Sequence, residues 1–146
     1  MFPGAKFIYI HRNPYDVFLS TQNGMRQVMI ARLQEFDVDS DLIIEYTLQQ
    51  YCTLIDAYLN SRQLIPRNDL CEILFEDLEA DPIGCLREIY KRLQIDGFDR
   101  FEPRLRAYVD SVADYRKNAY PELSPAVRHQ IAERWERSFN EWGYAR

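Results

Sequence analysis

The segment from Arg12 to Ser20, Arg-Asn-Pro-Tyr-Asp-Val-Phe-Leu-Ser, sets a guanidinium directly after an apolar run and a hydroxyl about two turns along the helix that should follow. In open α/β sheets ligands bind beyond the carboxyl ends of strands, and a forked guanidinium suits the oxygens of a phosphate. The same Arg12 can instead pair with Asp16 or cap the turn, and residue types and spacing leave both readings open. His11 adjoins Arg12 and titrates in the range of a general base, but at a strand end a structural hydrogen bond is the simpler role. His129 falls one residue off an apolar stripe and is expected to face solvent. Glu76 and Asp77 are neighbours whose side chains diverge, so capping or orienting the Arg12 region suits them better than acting as an acid and base pair. No residue stands out as catalytic. Cys52, Cys71 and Cys85 lack metal-ligand or redox spacing and read as free thiols, with no zinc and no disulfide.

These groups need elements to position them. Lys6–Ile10 is aromatic and β-branched with little polar relief, as in a strand buried on both faces of a parallel sheet. Asn13 caps a helix that opens on Pro14, with Asp16 in capping-box position, and runs to about Phe36. After the polar break Asp37–Asp41, Ile44, Leu48, Tyr51, Ile55, Tyr58 and Leu59 recur at helical spacing, and the helix ends near Ile65-Pro66. Leu70–Phe75 reads as a second strand, and Asp81-Pro82 starts a helix that buries Leu86, Ile89, Tyr90 and Leu93. A helix over Phe101–Tyr115 follows. A last one from Ser124-Pro125 lines up Val127, Ile131, Trp135, Phe139 and Trp142 until Gly143 stops it. The expected class is therefore α/β, predominantly helical with a short parallel sheet, in one domain over residues 1–146.

Composition narrows the function. With 47% hydrophobic and 28% charged residues the chain is globular, not disordered. A net charge of −5 excludes a general nucleic-acid binder, so any anion site must be local. The apolar stretches are short and interrupted by charge, which points to no membrane span, and no signal-peptide pattern opens the chain, which points to the cytoplasm.

The run from Phe2 to Ser20, with its Arg12-to-Ser20 spacing intact, closely resembles the 3′-phosphate-binding segment of sulfotransferases that use the sulfuryl donor PAPS. Phe75-Glu76-Asp77-Leu78 followed by Asp81-Pro82 is similar to that family's Tyr-Glu-Asp-Leu segment and Asp-Pro helix start, with phenylalanine in place of tyrosine. Tyr115-Arg116-Lys117-Asn118 and Trp142-Gly143-Tyr144 look like the tail of its bacterial-type members. The resemblance implies a P-loop-like three-layer fold in which Arg12 and Ser20 hold the 3′-phosphate of PAPS or its product PAP and Phe75 lies near the adenine. Arg116 and Lys117 would approach the phosphates, although a basic pair at a helix C-terminus is an equally ordinary arrangement. The family places its phosphosulfate-binding loop and catalytic base upstream of this segment, and the sequence has no Gly-rich turn between a strand and a helix. The expectation is thus the C-terminal part of a sulfotransferase, with a nucleotide donor, an undetermined hydroxyl or amine acceptor, no metal, and an incomplete sheet open to self-association. The alternatives are a non-catalytic PAP-binding or protein-interaction module derived from such an enzyme and, last, a purely helical scaffold.

Overall fold

The computed structural model describes residues 4–32 and 40–146. Strand β1 (Phe7–His11) pairs in parallel with β2 (Leu70–Leu74), Phe7 opposite Leu70 and His11 opposite Leu74. Parallel neighbours need a long crossover, and here it runs through α1 (Pro14–Arg32) and α2 (Ser40–Ser61). Two 3-10 turns lead into β2, and after it come α3 (Phe75–Ala80), α4 (Pro82–Arg92), α5 (Phe98–Ser111), α6 (Pro125–Arg134) and α7 (Glu136–Trp142). Phe36 and the following residues 37–39 lie outside the described residues.

The described residues form two compact units. The first takes the chain up to Arg12 together with Ser61–Asn118, and the second takes Asn13–Asn60 with Ala119–Arg146. In the first, α4 packs on β2 through Cys71, Ile89 and Leu93, all at most 3% exposed. The start of α4 is fixed by Asp81, whose carboxylate accepts the Gly84 amide at 2.9 Å, with Pro82 at the first helical position. A Cβ on Gly84 would collide with that carboxylate, so the cap requires glycine there. Helix α5 begins three residues before the expected Phe101 and ends at Ser111. Gly97 turns the chain through a left-handed conformation (φ 88°), bringing Phe98 and Phe101 onto Tyr90 at 5.2 and 5.7 Å.

β1 departs from expectation. Phe7, Ile8 and Ile10 are each nearly half exposed rather than buried on both faces, although the aromatic and β-branched run does form a strand. Residue type sets the extended backbone, whereas coverage of a sheet face depends on which other elements are layered on it.

The second unit has its own core of Tyr15, Phe18, Leu48, Ile131, Trp135 and Phe139. Trp135 stacks on Tyr51 at 3.8 Å, meets the edge of Phe18 at 5.9 Å and donates its indole N–H to the Leu48 carbonyl at 3.1 Å. The single last helix expected from sequence is two, broken at Trp135, which serves as C-cap of α6 and N-cap of α7. The apolar stripe survives the break. Ile131, Trp135 and Phe139 are at most 1% exposed, and Gly143 ends α7 in the left-handed region (φ 69°).

Candidate functional site

The register of the sheet builds the site in the first unit. Because the strands are parallel, their carboxyl ends share one edge, and the last pair is His11 and Leu74. The next residues along each strand are Arg12 and Phe75, and the Arg12 guanidinium carbon lies 4.6 Å from the centre of the Phe75 ring, within cation–π range. Phe75 is therefore not a core strand residue. It opens α3, half-buried, with its ring serving as a platform for Arg12. The turn after β1 is capped by Asn13, whose Oδ1 accepts the Tyr15 amide and whose carbonyl accepts the Val17 amide, both at 3.0 Å.

His11 is 7% exposed at the end of β1. Burial holds its pKa below the ordinary 6.5, outweighing the opposite pull of Glu72, Glu76 and Asp77. It is thus a neutral imidazole at pH 7. Glu76 and Asp77 stand in the first turn of α3, where carboxylates complement the helix dipole. His129 is exposed, as its position off the stripe implies.

Ser20 sits half-buried on α1 in the second unit. Arg116 and Lys117 are exposed in the loop that follows α5, and because that helix stops at Ser111 they are not a basic pair at a helix C-terminus. The Lys117 ammonium is paired with the Glu79 carboxylate of α3. The first unit therefore brings Arg12 and Phe75 together and ties Lys117 to the helix that Phe75 opens. Glu79 was missed by sequence reasoning, since nothing local marks a partner so distant along the chain. Sequence reasoning also passed over Arg128, whose guanidinium lies 3.8 Å from the Tyr15 ring centre in the second unit.

Burial raises the pKa of all three free thiols, Cys52, Cys71 and Cys85, and keeps them protonated at neutral pH. Among the described residues no group of three His, Cys, Asp or Glu side chains is placed to hold a metal ion, and no helix is long and apolar enough to cross a membrane.

An arginine at the carboxyl edge of a parallel sheet, laid on an aromatic ring, is a chemically apt receptor for a phosphate attached to a flat base. Comparison with known proteins gives the family. Residues 1–100 match the sequence model of the sulfotransferase family. The whole chain aligns at 33% identity with the omega-hydroxy-beta-dihydromenaquinone-9 sulfotransferase Stf3 of Mycobacterium bovis and with its Mycobacterium tuberculosis counterpart. No solved structure matches significantly. The chain spans 37% of the length of these curated relatives. With the match covering more than half of its residues, this chain belongs to the sulfotransferase family.

Proposed function

We propose that the chain supplies the 3′-phosphate half-site of a PAPS-dependent sulfotransferase with a P-loop-like three-layer fold. The observation that carries this reading is Arg12 lying over Phe75 at the shared carboxyl edge of β1 and β2. Arg12 offers forked donors to the 3′-phosphate, Ser20 adds a hydroxyl, and the Phe75 ring faces the adenine while holding the guanidinium in place. Arg116 and Lys117 screen the remaining phosphate charge from the loop after α5, Lys117 exchanging or sharing its Glu79 partner when the nucleotide arrives.

In the complete reaction an acceptor hydroxyl or amine forms a bond to sulfur and the bond from sulfur to the bridging phosphate oxygen breaks. The acceptor proton passes to a base and PAP leaves. In-line positioning and stabilisation of charge on the bridging and equatorial oxygens govern the rate, as in phosphoryl transfer. We assign these tasks to family segments that have no counterpart among the residues of this chain, and assign this chain to recognition of the donor. His11, 7% exposed at the end of its strand, is not assigned as the base of this scheme. Three protonated thiols fit a reducing compartment, so the cytoplasm is the proposed location.

The test is a thermal-shift titration of the chain with PAP, adenosine 5′-phosphate and buffer alone. PAP at a hundredfold its Kd should stabilise by about 2.7 kcal/mol, which raises Tm by several degrees, and Arg12→Ala should abolish the shift. Equal shifts with both nucleotides, or a PAP shift that survives Arg12→Ala, would contradict the reading.

A further inference from the structure

In the first unit an open cavity of about 480 Å³ lies beside β2, walled on its far side by α3 and α4. Cys71, Glu72 and Ile73 all border it, and since neighbouring residues of a strand point to opposite faces, a cavity that all three border runs along the strand's edge. β1 pairs with one edge of β2, and among the described residues no strand pairs with the other. That edge therefore offers main-chain N–H and C=O groups to the groove. The floor is apolar, with Cys71 3% exposed and Cys85 and Ile89 of α4 in the same packed cluster. The rim is acidic. Asp77, Asp81 and Glu88 are exposed along it and, among the described residues, face a single basic residue of the lining, Arg92. Glu72 is matched by Arg62 at 2.9 Å, but Asp81 spends its carboxylate on the Gly84 amide and Glu88 comes no closer to Lys91 than 3.9 Å, so the rim keeps its negative charge.

We propose that this edge is a docking site for an extended, basic peptide segment of a partner protein, which adds to β2 as a further strand of the sheet. Main-chain hydrogen bonds to the edge hold the segment, and side chains at its alternate positions select the partner. β2 has 5 residues, so a segment of about the same length suffices. Lysine or arginine at the positions facing α4 lays its apolar stem on the floor of the groove and carries its charge to Asp77, Asp81 and Glu88. Like charge turns away an acidic peptide, a nucleic acid or an anionic lipid surface. A second copy of this chain fits less well, because pairing β2 with β2 sets two acidic rims side by side and neither β1 nor β2 contains a lysine or arginine. The site uses none of the side chains assigned to the nucleotide, so it stands or falls apart from that reading.

The experiment is fluorescence anisotropy of the full chain with a labelled peptide Lys-Val-Lys-Val-Lys-Val. Its controls are Glu-Val-Glu-Val-Glu-Val and the lysine peptide N-methylated at every amide, which keeps its side chains and charge and loses its main-chain donors. The lysine peptide should bind at least about tenfold tighter than either control. Glu88→Lys, a change at an exposed side chain, should weaken it about tenfold, and Glu122→Lys, the same change of net charge in the second unit, by no more than about twofold. Hydrogen exchange on the complex should slow at the amides of β2. Equal binding of the lysine and glutamate peptides, undiminished binding of the N-methylated peptide, equal loss in the two variants, or no binding at millimolar concentration would each overturn the proposal. So would protection of the β2 amides that grows with protein concentration in the absence of peptide, since the edge would then belong to a second copy. If Glu88→Lys fails to fold, the three peptides and hydrogen exchange in the parent still decide it.

Discussion

Replacing Arg12 by lysine keeps the charge at the carboxyl edge of the sheet and removes the fork. A guanidinium meets a phosphate through two charge-assisted hydrogen bonds, each contributing about 1.5–3 kcal/mol, and an ammonium at the end of a flexible stem keeps about one of them. Arg12→Lys should therefore weaken PAP by about 10- to 150-fold, and Arg12→Ala by more. Phe75 acts through Arg12. Its ring centre lies 4.6 Å from the guanidinium carbon in a half-buried setting, where such a contact contributes about 0.5–1 kcal/mol. Phe75→Leu should cost about two- to fivefold in PAP affinity by that route, and much less in the Arg12→Ala background, since the contact is then already gone. The assay is calorimetry on the parent, the three single variants and the Arg12→Ala, Phe75→Leu double variant, with urea denaturation of each to separate affinity from stability. Arg12→Lys binding PAP as tightly as the parent would refute the reasoning about the fork. A Phe75→Leu effect undiminished in the Arg12→Ala background would refute the platform.

Four further substitutions test the packing, one helix cap and the buried histidine. Trp135→Ala should destabilise the chain by about 3–5 kcal/mol through the cavity left beside Tyr51 and Phe18, and Trp135→Phe by about 1–3 kcal/mol through loss of the bond to the Leu48 carbonyl, as read in urea denaturation. Asp81→Ala removes the cap of α4 and should cost about 1 kcal/mol in the same experiment. The pKa of His11 is lowered on folding, so the unfolded chain binds its proton first. Its contribution to stability is full above pH 6.5 and falls away as pH drops through the folded value. His11→Gln should flatten the acid limb of stability below about pH 6.5, and an unchanged limb would show that His11 is not the titrating group.

Local chemistry was legible in the sequence where it acts locally. Asn13-Pro14, Asp81-Pro82 and Ser124-Pro125 announce helix starts, and the structure puts α1, α4 and α6 at those positions, with Asn13, Asp81 and Ser124 each accepting an amide hydrogen bond from the first turn. The stripe Ile131, Trp135, Phe139 was legible too, because helical spacing survives a one-residue interruption at Trp135. The start of α5 was not. Gly97 reads as a breaker, but the pull of Phe98 and Phe101 onto Tyr90 is a packing decision made by a different helix. Exposure of Phe7, Ile8 and Ile10 was likewise hidden, since strand propensity says nothing of the layers above a sheet. Of the candidate site, Arg12 was legible from its place after β1. Its seat on Phe75 came from the parallel register, and the hold of Glu79 on Lys117 from a contact between remote segments.

The central claim, that the end of β1 grips a phosphate on the 3′ position, is tested most directly by calorimetric titration of the chain with adenosine 3′-phosphate against adenosine 5′-phosphate. These isomers carry the same base, sugar and charge, so any difference reports phosphate position alone. The account predicts binding of the 3′ isomer at least tenfold tighter than the 5′ isomer, with the difference lost in Arg12→Ala. Equal affinities, or a preference for the 5′ isomer, would contradict it.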